Sequence, residues 1–297
     1  MAPVHGSERS CAPSAALARA VAYPCRTHRY HPDMSSSELV AMLIAAVVVV
    51  AVWMPIASRQ YIIRPGIARV SSSRIPFVLM SLLAAAVINL AVLLTLAAAD
   101  VRHAPQYIAM YLLIGLGAST IPVGLLRAMG FDWSDVFERG NRAAHTLFVF
   151  VIVAGACAFA GANIGDGPGF EVVLFSAALS QGALLAFLVL HSIAARTMYR
   201  VLVDRDRGTA FRFGCLLVSC GLMLGRAVAG DWTSAVQTTI DFARVGWPAA
   251  MLLIFDIFLA RILTPRELDG GIAFDRLLGV VYVLGACGYL ALLGVPK

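Results

Sequence analysis

The chain has 297 residues, 60% hydrophobic and 13% charged, with a mean hydropathy of +0.83. Soluble domains are nearer half apolar and a quarter charged, so a soluble globular enzyme, a nucleic-acid-binding domain and a disordered regulator are excluded: too few charges remain to cover a water-facing surface. The net charge of +6 comes from 23 basic side chains, all arginine except Lys297, and most fall between apolar runs, where membrane topology accounts for them without a nucleic-acid partner.

Residues 1–33 carry Arg9, Arg19, Arg26 and Arg29, two cysteines (Cys11 and Cys25) and no regular period. They read as a mis-assigned upstream extension or a disordered tail, with Met34 as the start of the membrane domain, 34–297. A targeting peptide is the competing reading, but the apolar run Ala15 to Ala22 is short and broken by Arg19.

A membrane-crossing helix needs roughly 20 largely apolar residues. Eight such segments follow in order: Leu39 to Ala57, Ile75 to Ala98, Tyr107 to Leu126, Ala143 to Ala162, Phe170 to Ala195, Thr209 to Ala229, Trp247 to Leu263 and Leu277 to Val295. No alternating, turn-punctuated pattern of a β-barrel appears. The loops after spans one, three, five and seven hold fifteen arginines, against four basic residues on the opposite side. The positive-inside rule then puts those loops in the cytoplasm and both termini in the periplasm. Scarce lysine beside abundant alanine, valine and arginine has the look of a GC-rich bacterial genome, so the expected location is a bacterial inner membrane.

Spans two, four, six and eight begin near residues 76, 143, 209 and 273, a nearly constant period of 67, 66 and 64 residues. Such a period predicts a repeated two-helix hairpin, with copies at about 36–98, 107–163, 170–230 and 243–295. Laying Gly140 to Cys157 over Gly270 to Cys287 matches eight of eighteen positions, ending in Gly155-Ala156-Cys157 over Gly285-Ala286-Cys287. A 66-residue shift matches Arg139 with Arg205, Ala144 with Ala210 and Gly155 with Gly221.

The signature Asn141-Arg142-Ala143-Ala144, after Glu138-Arg139-Gly140, resembles that of the YjfL-type bacterial inner-membrane proteins (domain of unknown function 350), whose hairpins open their second helix with a charged loop and an Asn-x-Ala-Ala-like motif. The likeness covers about 108–232. In the next copy, Asp204-Arg205-Asp206-Arg207-Gly208-Thr209-Ala210, Arg207 stands where the pattern would put asparagine. The resemblance implies a polytopic inner-membrane protein and no particular activity.

Ionisable and amide groups inside spans are the candidates for chemistry, because they are costly there. Asp256, set in Leu252-Leu253-Ile254-Phe255-Asp256-Ile257-Phe258-Leu259, must be protonated, paired with an arginine such as Arg212, Arg261 or Arg276, or face a polar cavity. Pairing that locks helices together is the plainer reading; proton or ion handling is the functional one. Asn89 and Gln181 read as interhelical hydrogen-bonding amides. His145 and His191 would form a relay with Asp256 only if the three converged, and His145 otherwise reads as an interfacial helix-start residue. Gly221-x-x-x-Gly225 permits close helix approach, and the Gly161 to Gly169 segment reads as a flexible outer turn with Asp166 and Glu171 exposed.

No HExxH, no close Cys/His pairing, no GxSxG and no phosphate loop is present, so no metal, cofactor or catalytic residue is assigned. The reading is an all-α, eight-span membrane protein in four hairpin repeats with the lipid bilayer as its solvent. Its function is transport of a small solute or ion, or alternatively a non-catalytic scaffold or subunit. A second copy or another membrane protein is the open choice of partner.

Overall fold

The computed structural model describes residues 34–61, 75–132, 140–165, 169–262 and 271–294; residues 1–33 and Asp166 lie outside them. The described residues form α1 (Ser36–Tyr61), α2 (Ile75–Thr95), the short α3 (Ala99–Arg102), α4 (Pro105–Ala128), α5 (Arg142–Ala160), α6 (Phe170–Ala194), the short α7 (Thr197–Leu202), α8 (Arg207–Val228), α9 (Ala235–Ile262) and α10 (Gly271–Leu293). Among them the only β feature is one isolated bridge, Ala97 with Gly165. Helix is the expected outcome for so apolar a chain, since in hydrocarbon every backbone N–H and C=O must be satisfied within its own segment.

Six helices, α4, α5, α6, α8, α9 and α10, are long and apolar enough to cross a membrane, whereas α1 and α2 offer the shorter apolar stretches Ser36–Ala51 and Leu79–Thr95. The chain is therefore a multi-helix, membrane-type protein. Helix α9 starts twelve residues before the apolar run read at Trp247, because Gln237, Thr238, Thr239 and Asp241 continue the same helix. At 1.5 Å per residue its 28 residues span about 42 Å, so its polar first turns extend past a hydrocarbon core of about 30 Å. Pro248 sits inside it and Pro122 inside α4.

The centre is the α5–α8 pair. Phe148, Leu147, Ile152, Phe213, Leu216 and Leu217 are buried between these helices and their neighbours. Helices α2 and α4 pack on α5 and α1 packs on α4, while α6, α9 and α10 all pack on α8. Of the expected hairpins, the two central ones (α4 with α5, α6 with α8) pack as pairs. The outer helices instead rest chiefly on a neighbour's helix: α1 on α4, and α9 and α10 each on α8. Sequence adjacency carries little weight in lipid, where helices associate through small residues that admit close approach.

Those small residues are visible at the α5–α8 crossing. A Cβ at Gly221 would stand 2.5 Å from the Ala154 carbonyl oxygen, and one at Gly225 would stand 2.5 Å from that of Cys157. A Cβ at Gly161 would collide with the Gly225 backbone. The outer segment after α5 is accordingly packed rather than loose in its described part: Gly161–Asn163 form a buried 3-10 turn, and Gly230 N–H donates to the Ile164 carbonyl (3.0 Å).

The Asn141-Arg142-Ala143-Ala144 segment has a structural job. Asn141 is the N-cap of α5: its Oδ1 accepts from the Ala143 and Ala144 amides (3.1 and 3.2 Å), and its Nδ2 donates to the Val201 carbonyl at 3.0 Å, tying α5 to α7. The equivalent cap on α8 is Asp206, whose Oδ1 accepts from the Thr209 amide (3.1 Å) and whose Oδ2 accepts from the Thr209 hydroxyl (2.6 Å). Asp206, one residue before Arg207, thus caps α8 as Asn141 caps α5. Each cap follows a left-handed residue, Gly140 (φ +70) and Arg205 (φ +55). Of the other signature positions, Ala143, Ala144 and Gly155 are buried, and Gly155 lies where a Cβ would be 3.1 Å from Ser119 Cα. Gly285, its counterpart in the overlay, is exposed with open space around it; α10 lies at the edge of the bundle, so its matching glycine meets no partner helix.

Gly221→Val or Gly225→Val forces α8 off the α5 carbonyls and lowers stability by about 3 kcal/mol or more, whereas Gly182→Ala, which faces open space on α6, is neutral or gains up to about 1 kcal/mol. Thermal unfolding in a fixed detergent separates the two classes. Asn141→Ala costs about 1 kcal/mol or more as a lost cap. Arg205→Gly, by contrast, relieves a left-handed side-chain residue and leaves the unfolding temperature unchanged or raised.

Candidate functional site

The buried charges of the described residues gather at one end of the bundle, where α6 ends, α7 lies, α8 begins, α9 ends and α10 begins. This is the arginine-rich end. Asp256 is six residues from the end of α9, about 9 Å along the helix axis. Arg212 lies five residues into α8, His191 three residues before the end of α6 and Asp275 four residues into α10. Four helices therefore deliver one ionisable group each to the same small volume.

The geometry is tight. His191 Nε2 lies 2.7 Å from Asp256 Oδ2, and both side chains are 0% exposed. The Tyr282 hydroxyl donates to Asp256 Oδ1 at 2.7 Å. Arg212 Nη1 donates to Asp275 Oδ1 at 2.7 Å. Its Nε stands 3.2 Å from Asp256 Oδ1, an ion-pair distance without an aligned hydrogen bond. On the far side of the imidazole, Nδ1 is 2.8 Å from the Thr197 hydroxyl, at the start of α7. The His191 ring stacks on Phe213, with centroids 4.2 Å apart and planes 17° from parallel. Gly208 admits the Asp275 carboxylate to the first turn of α8, since a Cβ there would meet its Oδ2 at 2.6 Å.

The expected alternatives for Asp256 thus resolve to pairing. Its arginine is Arg212; Arg261 instead donates from Nε to the Ala194 carbonyl (3.0 Å), closing α9 on the end of α6. Of the two histidines, His191 joins Asp256. His145 stays in the first turn of α5, as read from its place at the helix start.

The amides do not join the cluster. Gln181 Nε2 donates to the Gly155 carbonyl (2.7 Å), linking α6 to α5, and Asn89 Nδ2 donates to Ala85 in its own helix (2.8 Å). The Asn89 Oδ1 is pressed against Gly115 of α4, where a Cβ would be 2.9 Å away. Asp256, Gln181 and Asn89 therefore occupy three separate helix contacts.

Sequence reasoning missed Asp275, Tyr282 and Thr197. Asp275 had a faint signal, because it lies opposite His145 when 140–157 is laid over 270–287. Tyr282 offered only a hydroxyl within Val280-Val281-Tyr282-Val283, and Thr197 offered nothing, since its role depends on the chain reversal after α6.

Chemically, the arrangement is an enclosed network of one guanidinium, one imidazole and two carboxylates. The Thr197–His191–Asp256 order also places a hydroxyl, an imidazole and a carboxylate in line, but Thr197 is 0% exposed, so its hydroxyl is enclosed rather than offered to a substrate. Among the described residues no group of three or more metal-ligating side chains converges. Removing one partner of a buried ion pair costs several kcal/mol because the other charge is stranded. Arg212→Met therefore lowers stability by about 3–5 kcal/mol. The double variant with Asp256→Asn loses less than the sum of the singles, a non-additivity that thermal unfolding in lipid nanodiscs reads directly.

No protein family, curated protein or solved structure matches the chain.

Proposed function

We propose that the chain is an eight-span bacterial inner-membrane transporter for a small solute or ion, its arginine-rich end cytoplasmic and both termini periplasmic. The observation that carries this reading is the His191–Asp256–Arg212 cluster. Ionisable groups at such depth are expensive, and buried ion pairs are often no more stabilising than an apolar replacement of the same shape. Their usual service within spans is to ion and proton pathways. Repeat architecture is common among transporters, and the packing pattern supports it: α2, α5, α8 and α10, the second helices of the four expected hairpins, lie side by side in that order. The matching left-handed residue and N-cap at Gly140-Asn141 and Arg205-Asp206 support both the repeat and the YjfL-type resemblance.

The scaffold reading has its own observation, the separation of Asn89, Gln181 and Asp256 into three contacts. Cys220 distinguishes the two. It is buried on α8 two turns deeper than Arg212, with its Sγ 3.7 Å from the Ala249 carbonyl of α9. In a full-length chain keeping Cys220 as its only cysteine, a transporter exposes it to water in part of its cycle. A membrane-impermeant cationic thiol reagent then labels it in sealed vesicles, from one side or the other as pH and membrane potential are varied. Protection from both sides under every condition, in protein that remains folded, would sink the transport reading and leave the scaffold.

A further inference from the structure

Counted within ion-pair distance, the cluster's charges balance only if it holds a proton. Among the described residues, the cationic partners within 4 Å of Asp256 and Asp275 are Arg212 and His191. With both carboxylates ionised and the imidazole neutral, one guanidinium faces two anions. Arg212 commits its short, aligned hydrogen bond to Asp275, so Asp256 is left with His191 and the Tyr282 hydroxyl as its hydrogen-bonding donors. A second cation at His191 completes two ion pairs, one joining α6 to α9 and the other joining α8 to α10.

We infer that His191 and Asp256 form a specific proton-binding site, and that its occupancy decides which carboxylate Arg212 serves. The inference deepens the transport reading and rests on it for the purpose of the switch. When a proton from water binds the ring, a new N–H bond forms, the imidazolium pairs with Asp256, and Arg212 belongs to Asp275. When the proton leaves, Asp256 keeps only neutral donors. Arg212 Nε, already 3.2 Å away, then turns to it and releases Asp275 on α10. Such an element with two discrete pairings is what a coupled transition needs.

The surroundings suit both states. From α6 there is His191 itself; from α7, Thr197 and Arg200; from α8, Asp206, Arg212 and Cys220; from α9, Asp256 and Arg261; and from α10, Asp275 and Tyr282. Thr197 can accept from an imidazolium or donate to a neutral ring, and the stacked face of Phe213 favours a cation against it. Asp206 is engaged by Thr209 and Arg261 by Ala194, while Arg200 acts on Asp275 through space from beyond ion-pair distance and does not act on Asp256. Asp275, whose side chain is 16% exposed, is the member nearest water.

The test uses the full chain in lipid nanodiscs with ¹⁵N-labelled histidine. His5, His28, His31, His103 and His145 are replaced by glutamine, so that His191 alone reports. The expected result is a single protonation step of the ring. Asp275→Asn, a change at the half-open rim, frees Arg212 for Asp256 and weakens the proton's hold at least about tenfold. Hydrogen exchange of the amides at 275–279, corrected for intrinsic rate, accelerates on the alkaline side of the same step in the unsubstituted chain, with no histidine replaced. A His191 ring whose protonation never changes, or changes identically in Asp275→Asn, overturns the inference, as does exchange in α10 indifferent to the step. A protein that passes these measurements while Cys220 stays sealed keeps the proton site and loses transport.

Discussion

Everything in this bundle hangs on the direct contact of α8 with α5. Glycines at 161, 221 and 225 remove the side chains that would hold the two backbones apart, so the carbonyls of Ala154 and Cys157 stand where a Cβ would otherwise be. Lipid tails are as apolar as the side chains, so burial of apolar surface gives helices no reason to prefer one another. Close van der Waals contact does. Once α8 is seated, α6, α9 and α10 take the remaining faces of it, and each brings a polar group to its arginine-rich end.

That arrangement explains how so apolar a protein tolerates two carboxylates, a guanidinium and an imidazole below its surface. None of the four is left alone: Asp256 has three partners, Arg212 bridges both carboxylates, and His191 is bonded at both ring nitrogens. In a low-dielectric site a fully satisfied network is rigid, while a partly satisfied one is costly. The observed network is nearly complete, with the Arg212 Nε at ion-pair distance from Asp256 but without an aligned hydrogen bond. The glycine crossing holds α8, which carries Arg212, while Asp256, His191 and Asp275 come from helices packed on it.

The amides show the opposite use of polarity. Gln181 spends its N–H on the Gly155 carbonyl, and the narrow passage between α5 and α4 at that glycine leaves no space for a side chain beside Ser119. The Gln181 bond links α6 to α5, whereas Asn89 bonds within α2 rather than across helices. They belong to packing, and their separation from the charge cluster divides the molecule into a glycine-and-amide interior and an ionic end.

Length, hydropathy and periodicity were enough to read an all-helical membrane protein, and the extents of α4, α5, α6 and α8 followed closely, because a bilayer of fixed thickness demands about the same run of apolar residues each time. Asp256 stood out for the same reason: a carboxylate among leucine, isoleucine and phenylalanine has no solvent of its own. The polar start of α9 was illegible, since helix propensity continues past the membrane boundary where hydropathy stops reporting. The one-residue register of the second cap was also hidden, because Asn141 and Asp206 perform the same bond with different side chains. The choice of Arg212 over Arg261, the recruitment of Asp275 and Tyr282, and the exclusion of Asn89, Gln181 and His145 were decided only by tertiary structure. Sequence specifies which faces are apolar and which groups must find partners. Which partners they find depends on how helices distant in the chain are rotated against one another, and small residues at the crossings set that rotation.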